Sequence, residues 1–234
     1  MISRNFLGCI AFGLLITFAS CKKDEELEKG QLCDYAPYTI GSTFTFASTT
    51  SDFFTGGMTT TESTSEVLGT EEYLGQNWVV GENLSVGNQS GDIGTGLVRC
   101  DETGTYALVK SANVDGVQIN DLQIQLLSLP ATLGKKWESE PFSISSSGIT
   151  NTITYKSEIT NIGLNMTVNG NTFEDVIEVR EFAITEVNGF SFQGATTYRY
   201  YDKAVGNIRS LVLTDSFFGV DTTLVSDLVA WDIK

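Results

Sequence analysis

Met166-Thr167-Val168-Asn169-Gly170-Asn171-Thr172-Phe173 carries the reading of the fold. Two β-forming runs flank Asn-Gly, a dipeptide that accepts positive φ at both central positions of a type I′ turn, so the stretch predicts a tight hairpin. Downstream, Glu174 to Val187 is a long β-rich run with Ile177 and Val179 on one face and Phe182 and Ile184 on the other. That change of parity predicts a bulge between Val179 and Phe182. Upstream, Thr43-Phe44-Thr45-Phe46-Ala47 alternates, as do Gln118-Ile119 and Leu122-Gln123-Ile124-Gln125-Leu126. Further turns are signalled at Gly56-Gly57, Ser90-Gly91, Asp115-Gly116 and Asn188-Gly189. The fold class that follows is all-β and mainly antiparallel, with little helix.

The chain repeats itself. Ile40-Gly41-Ser42-Thr43-Phe44 and Leu133-Gly134-Lys135-Lys136-Trp137 both read apolar-Gly-x-x-aromatic and both open a β-rich stretch. Ser65-Glu66-Val67 is matched by Ser157-Glu158-Ile159, and Arg99-Cys100-Asp101-Glu102-Thr103-Gly104 more loosely by Tyr201-Asp202-Lys203-Ala204-Val205-Gly206. Order and spacing are kept, which predicts two tandem β modules, assigned to residues 35–115 and 116–234. In each, the glycine frees the backbone where the chain turns into the first strand, and the aromatic seeds that strand's core face.

Composition excludes several kinds of chemistry. Fourteen Lys+Arg against 29 Asp+Glu give a net charge of −15, which argues against a nucleic-acid partner. The chain has no histidine, which removes Ser-His-Asp and Cys-His catalysis and His-ligated zinc. No GxSxG, SxxK, P-loop, GxGxxG or calcium-loop pattern occurs, and the cysteine spacing resembles no metal motif, so neither a cofactor nor a metal is expected. Acids are abundant, so a carboxylate-based glycoside hydrolase is the enzymatic alternative, which would need two acids facing one another across a cleft.

The first twenty residues hold one charge, Arg4, ahead of an apolar run from Phe6 to Phe18, the pattern of a secretory signal (residues 1–20). Phe18-Ala19-Ser20-Cys21 resembles a bacterial lipobox, with Phe where Leu is commoner. On that resemblance cleavage follows Ser20 and Cys21 is acylated, palmitate-type lipid holding the mature chain to the membrane. The charged run Lys22-Lys23-Asp24-Glu25-Glu26 opens a tether over residues 21–34 and resembles the start of Bacteroidota lipoproteins bound for the cell surface. Expected localisation is the bacterial outer membrane, on the cell surface or else on the periplasmic leaflet.

Cys33 and Cys100 remain after processing, an even pair in an exported chain, and a bridge between them would be worth on the order of 4 kcal/mol. Two free thiols are the alternative, since Cys100 sits in a strand-like run and serves equally as a small buried hydrophobe. Tyr198 and Tyr200 share one strand face, with Arg199 and Tyr201 on the other, so the two tyrosines are candidate ligand-facing aromatics or else core. Asp221-Thr222-Thr223 resembles a Bacteroidota O-glycosylation site at Thr222; a plain turn is the alternative.

Three runs of the second module carry a wider resemblance: Leu129-Pro130-Ala131-Thr132-Leu133-Gly134-Lys135-Lys136-Trp137, Met166 to Val179, and Tyr198-Arg199-Tyr200-Tyr201-Asp202-Lys203-Ala204-Val205-Gly206-Asn207-Ile208-Arg209. Together they resemble a pattern of bacterial lipoproteins whose module is similar to the curved antiparallel half-barrel of periplasmic lipoprotein carriers. The likeness implies half-barrel modules and supplies no catalytic residues. The expected function is therefore a non-catalytic, membrane-anchored binding or assembly module holding an apolar or glycan ligand on a concave sheet face. Its alternatives are the hydrolase and a purely structural, partner-docking protein.

Overall fold

The computed structural model describes residues 32–51, 56–82, 96–114, 117–146, 149–216 and 219–234. The expected signal peptide, Cys21, most of the tether, and the turns at Ser90-Gly91 and Asp115-Gly116 lie outside the described residues. Fifteen strands are described and, among these residues, no helix. The first eight are β1 (Leu32–Cys33), β2 (Ala36–Pro37), β3 (Thr43–Ser51), β4 (Met58–Tyr73), β5 (Gln76–Glu82), β6 (Gly96–Asp101), β7 (Gly104–Val114) and β8 (Val117–Ser128). The others are β9 (Lys136–Glu138), β10 (Phe142–Ser146), β11 (Ile149–Val168), β12 (Asn171–Val187), β13 (Phe190–Asp202), β14 (Gly206–Ser216) and β15 (Gly219–Asp232).

β1 and β2 form a two-stranded ladder, so Leu32 and Cys33 already belong to the body. All the rest join one antiparallel sheet in the order β10-β11-β12-β13-β14-β15-β3-β4-β5-β6-β7-β8, with β9 pairing β11 beside β10. The sheet curls until its two ends, β8 and β10, lie side by side, giving a nearly closed barrel. Local turn chemistry sets the hairpins: Asn169 and Gly170 have φ of 47° and 81°, and Asn188 and Gly189 of 50° and 82°, as a type I′ turn requires.

The repeat is built twice in the same hydrogen bonds. Gly41 (φ 83°) donates its N–H to Val67 O at 2.8 Å, and Val67 N–H returns to Ser42 O at 2.9 Å. Gly134 (φ 78°) donates to Ile159 O at 2.8 Å, and Ile159 N–H returns to Lys135 O at 2.9 Å. Asp101 Oδ1 accepts the Thr103 N–H at 2.7 Å, and Asp202 Oδ1 accepts the N–H groups of Ala204 and Val205 at 2.8 and 3.0 Å. The matching hydrogen bonds thus recur in β3–β8 and in β9–β15, which Leu129–Leu133 join within one continuous sheet, so the copies are these two runs and not the expected 35–115 and 116–234. The copies are hydrogen-bonded where β15 ladders onto β3.

The matching junction, β8 with the first strand of the second copy, is not laddered. Pro141 falls in that strand, lacks an N–H and divides it into β9 and β10, whereas β3 runs unbroken. Trp137 Nε1–H bridges this seam to Gln125 O at 2.8 Å.

The core sits at the turn-rich lower end. Phe44, Val67, Val79, Ile208 and Leu228 pack with Val168, Phe173 and Val176 from the tip of the β11–β12 hairpin. That tip reaches β15, where Asn169 Nδ2–H donates to Leu228 O at 2.9 Å. Residues 34–42 run across the same end: Tyr35 packs with Tyr201 and Leu127, and Tyr38 meets Phe44 edge-on at 6.0 Å.

One expectation for β12 is corrected. It pairs with β11 without a break from Val179 to Val187, so no bulge lies between Val179 and Phe182. The irregularities lie in β11 after Ile159, in β13 opposite Phe182–Ile184, and in β12 itself near Asp175 (φ 55°). Phe182 and Ile184 are half-buried on the far side of the sheet, where Arg180 lies over the Phe182 ring at 5.6 Å, so parity there did not report a bulge.

Candidate functional site

Ladder register identifies what faces the barrel interior, because directly opposed residues share a face. Ile159, Val179, Arg199, Ser210, Ser226, Ser48 and Thr61 form one continuous rung across seven strands. The next rung toward the upper end is Ser157, Glu181, Thr197, Val212, Leu224, Thr50 and Thr59. These face inward, since Ile159, Val179 and Tyr201 pack against Leu127 of β8, a strand to which they have no ladder.

Burial changes along the axis. Below the two rungs lie the buried Ile177, Tyr201, Phe44 and Leu228; at the rungs themselves polar side chains take over. Above them the inward face is only half-covered: Tyr155, Ala183 and Thr185 are half-buried, and Thr50, Thr59 and Phe192 are exposed. The inward face, here called the cup, thus has an apolar floor, a polar waist and an upper end that solvent reaches.

At the waist, Arg199 Nη2–H donates to Glu181 Oε1 at 3.3 Å, with side-chain exposures of 10% and 8%. The contact is long for an ionic hydrogen bond, which ordinarily measures about 2.7–2.9 Å. Arg199 Nε, Glu181 Oε2 and the Tyr201 hydroxyl are buried and have no partner. Burial pushes Tyr38 up to about 12, the nearby Arg199 charge opposing it, and raises Tyr201 and Tyr155 in the same way. Phe142 stacks on Tyr155 above, ring centroids 6.0 Å apart and 14° from parallel. On the opposite wall Ser48 and Ser226 share a hydroxyl hydrogen bond of 2.9 Å.

Two surface clefts accompany the cup. One of about 690 Å³ lies at the lower end between Tyr35, Cys100, Leu129 and Ile162, rimmed by Asp34, Asp101 and Glu102. Partial burial works against ionisation of Asp101, yet hydrogen bonds from Thr103 and the Arg99 guanidinium hold it below the usual carboxylate range. The other, about 370 Å³, runs beside β9 among Lys136, Glu138, Lys156, Glu158 and Arg180, where Lys136 and Arg180 share Glu158 and Lys156 pairs with Glu138. Among the described residues no three acidic or thiol side chains gather as a metal ion would require.

The sequence candidates fall in different places. Tyr198 and Tyr200 are half-buried on the face opposite Arg199 and Tyr201, hence outside the cup. Tyr200 packs against the lower core, and burial together with a hydrogen bond to Glu178 raises its pKa. The inward-facing pair in that run is instead Arg199 and Tyr201; alternation separated the two faces, but only the curl of the sheet says which is inner. Thr222 is exposed within β15, not in a turn, and its carbonyl accepts the Ser51 hydroxyl at 2.8 Å. Cys100, 4% exposed on β6, is disulfide-bonded, and its Sγ lies 3.9 Å from Ala36 O. β1, which carries Cys33, lies against β6, while the Cys33 side chain lies outside the described residues.

No protein-family model and no curated protein matches the chain. Two solved structures are similar. A Parabacteroides distasonis ATCC 8503 protein described as a lipoprotein superposes with a TM-score of 0.53 at 14% identity, covering 86% of this chain and 100% of its own. A Bacteroides fragilis NCTC 9343 exported protein with a YmcC-like fold gives 0.49 at 14% identity, with the same coverage. The first shares the fold.

Proposed function

We propose that the chain is a non-catalytic lipoprotein, anchored through Cys21 to a bacterial outer membrane and displayed on the cell surface, which holds an apolar or amphiphilic ligand inside the cup. The observation that carries the binding reading is the upper interior, where inward-facing residues stay half-buried or exposed instead of filling the space. Anchoring is supported by the Phe18-Ala19-Ser20-Cys21 sequence and the charged tether, and by the fold shared with a protein described as a lipoprotein. A non-catalytic role is supported at the waist, where the inward acid Glu181 faces a guanidinium and not a second carboxylate. Cys33 is the proposed partner of Cys100, to be checked by non-reducing peptide mapping.

The binding test uses the full chain carrying Cys21→Ser and the uncharged fluorescent probe N-phenyl-1-naphthylamine. Saturable binding is expected, weakened about tenfold or more by Leu224→Trp, which places a larger side chain on an inward, half-buried position. Absence of saturable binding, or indifference to Leu224→Trp, would exclude the cup as a binding site. Intact mass of the native protein tests the anchor: an unacylated Cys21 would exclude it.

A further inference from the structure

We infer that the waist receives the uncharged, hydroxyl-bearing head of an amphiphile whose apolar body lies along the wall between Tyr155 and Phe192. The inference rests on the cup being a binding site and specifies what it binds.

The internal repeat supplies the first argument. Counting back from the equivalent aspartates, Asp202 and Asp101, places Val98 where the second copy has Arg199, and Cys100 where it has Tyr201. Val98 is 5% exposed and inward in its own ladder, so this architecture closes satisfactorily around an apolar side chain at that position. The charged pair in the second copy is not a requirement of the fold.

The second argument is the capacity the pair leaves unused. Glu181 and Arg199 spend one contact on each other, while Glu181 Oε2, Arg199 Nε–H and the Tyr201 hydroxyl are buried at residue exposures of 6%, 8% and 3% without a protein partner. Such groups are costly to leave unmade in a low-dielectric interior. A hydroxyl answers both charges, donating to Glu181 Oε2 and accepting from Arg199 Nε–H.

Charge selects among heads. An anion would meet Glu181 and a chain of net charge −15, and a cation would meet Arg199. Above the pair, Phe142 stacked on Tyr155, then Phe192 opposite Thr185, make an apolar wall. From Glu181 to Thr185 along β12 is roughly 13 Å at ~3.3 Å per residue, room for a medium-length alkyl chain.

Two sources share this chemistry, an acylglycerol and a glycosyl lipid, and the test carries one probe for each. Displacement of N-phenyl-1-naphthylamine from the full Cys21→Ser chain is followed with 1-monodecanoylglycerol, decyl glucoside, decanoate and decyltrimethylammonium, all below micelle formation. At least one neutral amphiphile is expected to displace the dye at about a tenfold lower concentration than either ion, and the tighter one identifies the source. Glu181→Gln leaves the guanidinium uncompensated and should bring decanoate level with or ahead of the neutral compounds. If that variant does not fold, the double change Glu181→Met with Arg199→Met should retain the dye and lose the preference among heads. Equal displacement by all four compounds, or a head preference unchanged in the variants, overturns the inference and leaves the cup reading standing. A dye that does not bind removes both.

Discussion

Replacing Glu181 with Met should cost the protein about 3–5 kcal/mol, whereas replacing Glu181 and Arg199 together should cost nothing or stabilise it by about 1–4 kcal/mol. The difference comes from the waist geometry. Both side chains are about nine-tenths buried, their single contact is 3.3 Å long, and one polar atom on each has no partner. Attraction across such a contact does not repay the removal of two charges from water, so an apolar pair of similar volume is at least as stable. Breaking the pair from one side is different, because it strands the survivor. A stranded guanidinium cannot lose its charge, so the cost of Glu181→Met should be nearly flat with pH. Arg199→Met strands the Glu181 carboxylate from the other side and should cost a similar amount. Urea unfolding followed by fluorescence at several pH values measures all three variants on one scale. A double variant destabilised by the sum of the two single changes would refute the reasoning and make the pair a net stabiliser. A Glu181→Met loss below about 1 kcal/mol would show that water already solvates Arg199.

Gly104→Ala should destabilise by at least about 3 kcal/mol in the same assay, since φ is 148° and the added Cβ would run into the Leu127 carbonyl oxygen; Gly194→Ala, whose nearest neighbour is 3.6 Å away, should stay within about 1 kcal/mol. Trp137→Phe should cost about 1–2 kcal/mol by stranding Gln125 O, and amide hydrogen exchange should quicken in β8 more than in β4. Alkaline stability should fall between pH 10 and about 12: the unfolded chain releases the Tyr38 proton near its ordinary value of 10.0 while the folded chain holds it to about 12. The folded state then binds more protons over that window, so this stabilisation, at most about 2.7 kcal/mol, is complete below pH 10 and lost above it. Tyr38→Phe should flatten the decline; a slope identical to the parent chain would count against it.

What could be read from the chain was local. Asn169-Gly170 and Asn188-Gly189 declare their turns because the required positive φ is a property of those residues. Gly41 and Gly134 declare the repeat for the same reason, and their neighbours supply matching hydrogen bonds. What escaped depends on register between distant strands. Glu181 and Arg199 are 18 residues apart and meet only because β12 and β13 pair Val179 with Arg199 and Glu181 with Thr197. β15 finds β3 across more than 170 residues, which no turn signal encodes. Tyr198 and Tyr200 were separable from Arg199 and Tyr201 by alternation, but the inner face is decided by which way the sheet curls. Aligning the copies would have flagged Arg199, since Val98 stands in its place.

The duplication also accounts for where the barrel is closed and where it is not. Two copies placed head to tail in a ring must meet twice. At one meeting β15 and β3 exchange backbone hydrogen bonds from Leu224–Thr50 to Asp232–Thr43. At the other, Pro141 interrupts the strand equivalent to β3, and a tryptophan side chain does part of what a ladder would do. The floor is closed by the crossing segment from Asp34 to Ser42 and by the tip of the second copy's β11–β12 hairpin. A nearly symmetric shell thus becomes a one-ended vessel, and Arg199, whose place in the first copy is taken by Val98, sits between the closed end and the open one.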